Sequence, residues 1–406
     1  MRSWRWGTFW LLTGFPLSLT AALSGQGITS PHCLLMNAKT GAILFEKGAY
    51  EGAYPASLTK IATLLYLFDR PQLSEDVMIR CDPKALIMKG KKANPPPYFL
   101  ESDGAHFWIS PGEWLSTRDL LMGMAIRSAN DAANCLAHHY GGGSIPHFME
   151  GLNAYLNDRG YSRTQFQNPH GLHDPRHRTT AYELAMMMRD LLSIPRAVEL
   201  LGLSEGIRKK GEEEFPFSHH LALKKEGGEF HLPGLIIGKT GYTKKAGHCL
   251  AAAAERGDRQ LIAISLGAAT SSDRYRDLLT LFERAFHEEV VHRVLFNKEG
   301  ASFHHPQGIA ASLREEVSID YYPSESSSLA VDFTWFPLDH ALASGEPLGE
   351  LNVIDRWGVV RASSLLFADQ GWSPHWLPSW WSRGLMFGGG VFSLCFLSYC
   401  VYRRRS

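Results

Sequence analysis

Tyr54-Pro55-Ala56-Ser57-Leu58-Thr59-Lys60 sets a hydroxyl and an amine three residues apart at the head of an apolar stretch that continues Ile61-Ala62-Thr63-Leu64-Leu65. At helical spacing both side chains lie on one face. A serine hydroxyl is a weak nucleophile until a base takes its proton, and a lysine becomes that base when burial or a neighbouring cation depresses its pKa. The helix N-terminus adds partial positive charge for a developing oxyanion. Alone, S-x-x-K equally describes a helix cap followed by a solvated lysine, so the reading depends on what else the chain supplies.

Two further groups supply it. Arg127-Ser128-Ala129-Asn130-Asp131 lies inside residues 112–140, whose apolar positions recur at helical spacing until Gly141, Gly142 and Gly143 end the pattern. From there Ser128 could relay a proton between Lys60 and a leaving group, and Asn130 could hold a substrate amide. Serine and asparagine also merely interrupt helices. Lys239-Thr240-Gly241 closes the apolar run from Leu235 to Gly238. A strand-end lysine beside a hydroxyl suits an anionic substrate terminus, and Gly241 lets the backbone approach closely.

The order of these groups resembles the S-x-x-K, S-D-N and K-T-G set of penicillin-binding proteins and β-lactamases. The surrounding segments PASLTKIAT, SANDAANCLA, FQNPHGL with TTAYELA after it, and IGKTGYTKKAGHCLAAAA narrow the match. They resemble the low-molecular-weight penicillin-binding D-alanyl-D-alanine carboxypeptidases, the S11 peptidases, from about Ile28 to Glu289. The resemblance implies an α+β fold, with an antiparallel sheet flanked by helices, and a serine acyl-enzyme peptidase acting on the D-Ala-D-Ala end of peptidoglycan stem peptides. β-Lactams would be covalent inhibitors, and neither cofactor nor metal is implied. Ser57 would attack, Lys60 would act as base, Ser128 and Asn130 would relay and orient, and Lys239 with Thr240 would bind substrate. The backbone amides of Ser57 and Tyr242 would form the oxyanion hole. Gly267 to Arg274 resembles the family's strand-to-helix turn, which assigns Arg274, with Thr240, to the substrate carboxylate, for which a planar guanidinium is well suited. Arg276 is its nearest competitor. The middle motif departs from the family in having Ala129 where glycine is usual, and the Pro-rich stretch from Asn94 to His106 is longer than usual.

Around this centre, Ile28 to Leu44 alternates as an opening hairpin with its turn at Asn37, Lys39, Thr40 and Gly41, and a helix is expected from Ser57. Helices are expected near Pro146 to Asp158, Thr180 to Leu192 and Asp273 to Glu289, and strands at Leu235 to Lys239, His248 to Ala254 and Gln260 to Leu266. Together they delimit a domain over 28–290. From 295 to 371 short β-like runs at Val317 to Tyr321, Leu329 to Trp335, Gly349 to Ile354 and Val359 to Leu366 describe a small all-β domain. Lys84 to His106, with Pro95, Pro96 and Pro97, reads as an exposed loop.

The 406 residues carry 41 basic and 41 acidic side chains, so no basic excess is available to track a phosphate backbone, and nucleic acid is not expected as a partner. Residues 1–24 have the order of a signal peptide, with Arg2 and Arg5 before an apolar stretch and small residues after it. Leu385 to Tyr402 is uncharged, about 27 Å as a helix, and stands between Trp372, Trp376, Trp380 and Trp381 and the run Arg403-Arg404-Arg405. That reads as a C-terminal transmembrane helix anchoring an exported body at the periplasmic face of the bacterial inner membrane. Cys395 and Cys400 fall in the anchor, and Cys33, Cys81, Cys135 and Cys249 leave room for one or two bridges of undeduced connectivity.

Other functions are weighed against these residues. A class A β-lactamase needs a separate glutamate to activate water, and Glu150 offers one only superficially. A zinc peptidase wants H-E-x-x-H, whereas His287-Glu288-Glu289-Val290-Val291-His292 is one residue too long. The pairs His138-His139, His219-His220 and His304-His305 are read as surface or packing residues, and Asn168 and His170 as loop residues behind the site. A D,D-endopeptidase and a noncatalytic penicillin-binding protein remain as alternatives.

Overall fold

Asn37 Oδ1 accepts the N–H groups of Lys39 and Thr40 at 2.9 and 3.1 Å, and Gly41 takes φ +76°, so the chain reverses between β1 (His32–Asn37) and β2 (Ile43–Lys47). The structure, a computed structural model, describes residues 23–90, 94–210, 213–219, 221–325, 329–355 and 359–373. The chain divides into a unit of residues 20–289 with Pro323–Glu325, and a second made of 290–322 and the residues from 326 onward.

In the first unit a 3-10 turn (Ala56–Leu58) leads into α1 (Thr59–Phe68). There follow β3 (Met78–Arg80), β4 (Trp114–Ser116), α2 (Thr117–Ile126), α3 (Asn130–Tyr140), α4 (Ile145–Asp158), α5 (Ala181–Leu192) and α6 (Pro195–Gly202). Then come β5 (Glu205–Lys210), β6 (Glu213–Ser218), β7 (Leu235–Thr243), β8 (Gly247–Arg256), β9 (Arg259–Ala268) and α7 (Ser271–Phe286). The central sheet has the order β2-β1-β9-β8-β7 and is antiparallel throughout. Its inner strands are buried almost end to end, Ala251 to Ala254 completely, which requires cover on both faces. α7 packs on β8 and β9, and α5 on β1 and β9. Local chemistry sets the helix ends: α4 buries Ile145, Phe148, Met149, Leu152 and Leu156, one face at helical spacing, behind a Ser144 cap. Thr270 and Asp273 close a capping box on α7.

The second unit places β10 (Val291–Phe296) against β13 (Val317–Tyr321). β11 (Ser302–His304), β12 (Ala310–Leu313), β14 (Leu329–Trp335), β15 (Pro347–Asp355) and β16 (Val360–Ala368) form a sheet of order β11-β12-β16-β15-β14 over a core that includes Ile309, Leu313, Leu351 and Leu366.

Several expectations are corrected. The continuous helix over 112–140 is a strand and two helices: Ser128 has φ +59°, and the chain breaks there, Ala129 donating back six residues to Gly123 O at the end of α2 and Asn130 donating outside the helix to Ala105 O. Both helices keep a buried apolar face, so periodicity alone does not see the break. Lys239 is not at a strand end, since β7 continues through Gly241 to Thr243. Residues 84–106 are not simply exposed: Ala85, Leu100 and His106 are buried, and Met88 bridges to Leu100. The four cysteines of the first unit are buried free thiols, and burial pushes Cys33 up to about 12. α6 and the β5–β6 hairpin carry no strong sequence signal, the latter because its charged strands alternate poorly and include Pro216. The segment 385–402, and nearly all of 1–24, lie outside the described residues; among the described residues no helix is long and apolar enough to cross a membrane.

Candidate active site

Ser57 sits in the 3-10 turn just ahead of α1, half-buried, behind Ala56 at φ +48°. Two glycines let other backbone close on this turn. A Cβ on Gly171, whose φ is +95°, would lie 1.9 Å from Ala56 O, and one on Gly241 would lie 3.0 Å from Ser57 N. The turn is therefore gripped between the 168–172 loop and β7. Asn168 shapes that loop, its Oδ1 accepting the N–H groups of His170 and Gly171 and its Nδ2 donating to Leu172 O. Gly171→Ala is expected to lower stability by about 1–3 kcal/mol through overpacking and a disfavoured φ. It should also slow modification of Ser57 by a serine acylating reagent. Thermal unfolding and the labelling rate, measured together, check both effects; wild-type behaviour in each would deny the grip.

Lys60 is fully buried on α1. Its Nζ lies 2.7 Å from His170 O, 2.8 Å from Asn130 Oδ1 and 3.2 Å from Ser57 Oγ. Desolvation, then the nearby Lys239, hold its pKa well below the ordinary lysine range, against the opposing pull of Asp131. A neutral amine has two hydrogens and one lone pair. The two carbonyl-type oxygens accept the hydrogens, which leaves the lone pair for the Ser57 hydroxyl. This arrangement can deprotonate a serine.

Ser128 does not bond to Lys60, as the relay reading expected. Its left-handed backbone at the α2–α3 junction turns its Oγ to Lys239 Nζ at 2.8 Å. Lys239 also donates to Thr240 O at 3.0 Å, and burial, then Arg274, bring its pKa down to about 7. Asn130, expected on the substrate amide, commits its Oδ1 to Lys60, because as the first residue of α3 it faces the buried amine across from α1.

Arg274, in the first turn of α7, is buried rather than solvated. It donates to Gly241 O and Cys249 O at 3.0 and 3.1 Å and to Ser271 Oγ at 3.0 Å. It thus reaches β7 at the residue after Thr240, while its buried Nε has no acceptor. Arg276 instead lies at the surface with Glu229 and Asp273. Tyr242 is 56% exposed and packs on His248 at 4.4 Å between ring centroids.

The site thus brings three buried basic side chains, Lys60, Lys239 and Arg274, around one nucleophilic hydroxyl. The nearby carboxylate, Asp131, is committed to the backbone N–H groups of Phe107, Ile109 and Ala132. Such a field favours a ligand carboxylate and a developing oxyanion. Sequence reasoning gives Asp131 no role and does not identify the His170 carbonyl as a lysine partner. It also misses the buried Thr59–His177 bond of 2.8 Å beneath the turn. Glu150 is exposed on α4 beside His147 and takes no part. α7 ends at Phe286, so His287 and His292 do not share a helix. His305 is buried, and His139 and His304 are exposed. Among the described residues no cluster of His, Cys, Asp or Glu could hold a metal.

The family profile described as peptidase S11, D-alanyl-D-alanine carboxypeptidase, matches residues 20–270. The chain is similar to the D-alanyl-D-alanine carboxypeptidase DacF of Bacillus subtilis, 29% identical over 260 residues that cover 64% of this chain and 62% of DacF. It is also similar to DacD of Salmonella typhimurium, 31% identical over 275 residues covering 64% and 66%. The match therefore spans slightly less than two thirds of either relative. Among solved structures, the D-alanyl-D-alanine carboxypeptidase DacD of Francisella tularensis superposes with a TM-score of 0.61 at 20% identity, covering 87% of this chain and 96% of that one. Penicillin binding protein 6B of Escherichia coli gives 0.60 at 23%, covering 85% and 97%. At these identities the likeness is one of fold, a mixed α/β arrangement of antiparallel sheets and helices.

Proposed function

This chain belongs to the S11 family of D-alanyl-D-alanine carboxypeptidases, and from that membership we propose that it removes the terminal D-alanine from peptidoglycan stem peptides through an acyl-enzyme on Ser57. The observation that carries the reading is the place of Lys60 Nζ, 2.7 Å from His170 O, 2.8 Å from Asn130 Oδ1 and 3.2 Å from Ser57 Oγ; once the amine is neutral, the first two oxygens take its hydrogens and the lone pair is left for the serine. Ser57 adds to the carbonyl carbon as its proton passes to Lys60. The new oxyanion lies against the backbone N–H groups of Ser57 and Tyr242. Collapse breaks the C–N bond, and the leaving D-alanine nitrogen takes a proton from Ser128, which draws on Lys239; a group titrating near 7 gives up a proton readily at neutral pH. Exchange with solvent then moves the extra proton off Lys60 and returns one to Lys239, so that the Lys60 amine is neutral again; it takes a proton from the water that attacks the ester and hands it to Ser57 Oγ as the ester bond breaks, which restores the starting inventory. A β-lactam presents a strained amide beside a carboxylate and would acylate the same serine.

The deciding experiment incubates the protein with a stem pentapeptide ending in D-Ala-D-Ala and with a cross-linked dimer, and identifies the amine released. Free D-alanine from the pentapeptide supports the reading, cleavage of the cross-link alone makes the protein an endopeptidase, and no release from folded protein overturns it.

Substrate carboxylate binding is assigned to Arg274 with Thr240, supported by the Arg274 Nε that lacks an acceptor. Arg274→Ala should weaken turnover of a free D-Ala-D-Ala terminus by ~2 to 4 kcal/mol, as when a buried charge pair loses one partner. It should cost much less with a C-terminally amidated analogue. Equal losses on both would move the carboxylate to Lys239.

The protein is further assigned to the outer face of the inner membrane, held there by Leu385 to Tyr402; the uncharged stretch between tryptophans and arginines supports this. A chain ended near Ser373 should be released in soluble, active form. Fractionation after export checks it, and continued membrane retention would place the membrane contact elsewhere.

A further inference from the structure

The segment 104–109 runs beside Asn130 and then takes a backbone conformation that a bulky residue rarely adopts. Ala105 O accepts the Asn130 N–H at 2.8 Å. Two buried charges fix residues 107–109: Asp131 accepts the N–H group of Phe107 at 2.8 and 3.0 Å and that of Ile109 at 3.1 Å, and Arg208 donates to the carbonyls of Phe107 and Trp108. Arg208 is itself held by Glu113 at 2.6 Å. Between these clamps Trp108 has φ +57°, left-handed backbone that suits glycine and is an outlier for a large side chain.

The strain brings no core packing. Phe107 is buried, but the Trp108 side chain stands out, 69% exposed, with the tilted ring of buried His106 at 5.2 Å. A glycine would suit the backbone better, and a polar residue would suit the exposure better. Strain that the surroundings over-determine is characteristic of ligand contacts. The indole is rigid at its backbone, so a ligand that stacks on it loses little to ordering the protein.

We propose that Trp108 is a stacking surface for a pyranose ring of the N-acetylated glycan that carries the stem peptide. This rests on the function proposed above, and it gives one substrate two handles, the terminal carboxylate at Arg274 and the sugar at Trp108, whose segment is bonded to Asn130 and Asp131. A sugar fits better than a peptide side chain because the indole is a projecting flat surface. Its apolar face can cover the C–H face of a ring, whereas a side chain is held by a concave pocket.

The test titrates the purified full chain with a soluble N-acetylglucosamine tetramer, followed by saturation-transfer NMR, beside fluorescent-penicillin labelling of the same samples. Trp108→Gly relieves the backbone and should weaken sugar binding by about tenfold, the worth of one good aromatic contact. Trp108→Phe should retain most of it. Trp114→Ala, at another exposed tryptophan (59%) on β4, should bind as the parent does. No sugar binding by a parent protein that labels with penicillin, or equal binding by Trp108→Gly, overturns the inference while leaving the function standing. Sugar binding that depends on Trp108 in a protein that neither labels nor releases D-alanine keeps the stacking surface and removes the function. If phosphatidylglycerol vesicles, rather than the sugar, lose affinity on Trp108→Gly, the surface is a membrane contact and the proposal fails.

Discussion

Ser57→Ala should leave a folded protein that penicillin no longer modifies. Intact mass should show the parent gaining one β-lactam and the variant none, with peptide mapping placing the adduct on Ser57. Release of D-alanine should fall by a factor on the order of 10⁴ or more, the scale on which hydrolases lose activity when a nucleophile acting as part of a unit is deleted. Folding should survive, because the half-buried hydroxyl is bonded to Lys60 and supports no element of the core. An adduct on the variant, or on another residue of the parent, would sink the assignment.

Lys60→Met should slow acylation by about 10²–10⁴-fold, the usual worth of a positioned general base. Methionine approximates the stem and removes the lone pair. The pH dependence carries a sign. Only the neutral amine accepts the Ser57 proton, so the parent's acylation rate should rise with pH through the depressed pKa of Lys60 and then level. Stability should follow the same direction: between that pKa and the ordinary value of 10.5, the unfolded chain binds a proton at Lys60 that the folded chain does not, so stability increases with pH. Lys239, with a folded pKa near 7, adds a slope of the same sign, but it is present in both proteins. The difference in slope between parent and Lys60→Met in urea unfolding therefore belongs to Lys60. A variant that acylates at the parent rate would remove Lys60 as the base.

How far the sequence reveals this site depends on how each pair is made. Ser57 and Lys60 share one turn of chain, so their contact can be read from helical spacing. Ser128 and Lys239 are brought together by a helix junction and a strand, and Lys60 and Asn130 by a bond between α1 and the first residue of α3, 70 positions apart in the chain. Sequence spacing supplies the members of such pairs without their partners, which is why spacing alone matches Ser128 with Lys60. The break at Ser128 is hidden because one left-handed residue leaves the apolar pattern on either side intact. Arg274 is legible as a cation in a helix's first turn. Its burial is not, since that comes from α7 packing on β8 and β9, which aims the guanidinium at Gly241 O and Cys249 O. The all-β runs of the second unit read well because alternation and turn residues are local, while the β5–β6 hairpin, with charged strands and a proline, offers neither.

The sheet order has a consequence for how the molecule can come to exist. β1 is flanked by β2 and β9, with His32 opposite Leu266, so one of the earliest strands cannot acquire its second neighbour until nearly the whole unit has been synthesised. Contacts this distant in the chain make for slow folding, because the loop-closure entropy is lost before the contacts compensate it. Until β9 arrives, β1 and β2 form a sheet of only two strands, which is marginal in water unless a helix packs on it. A nascent chain that ends before Ala268 therefore cannot complete its central sheet, and it offers an unpaired strand edge to chaperones or to aggregation.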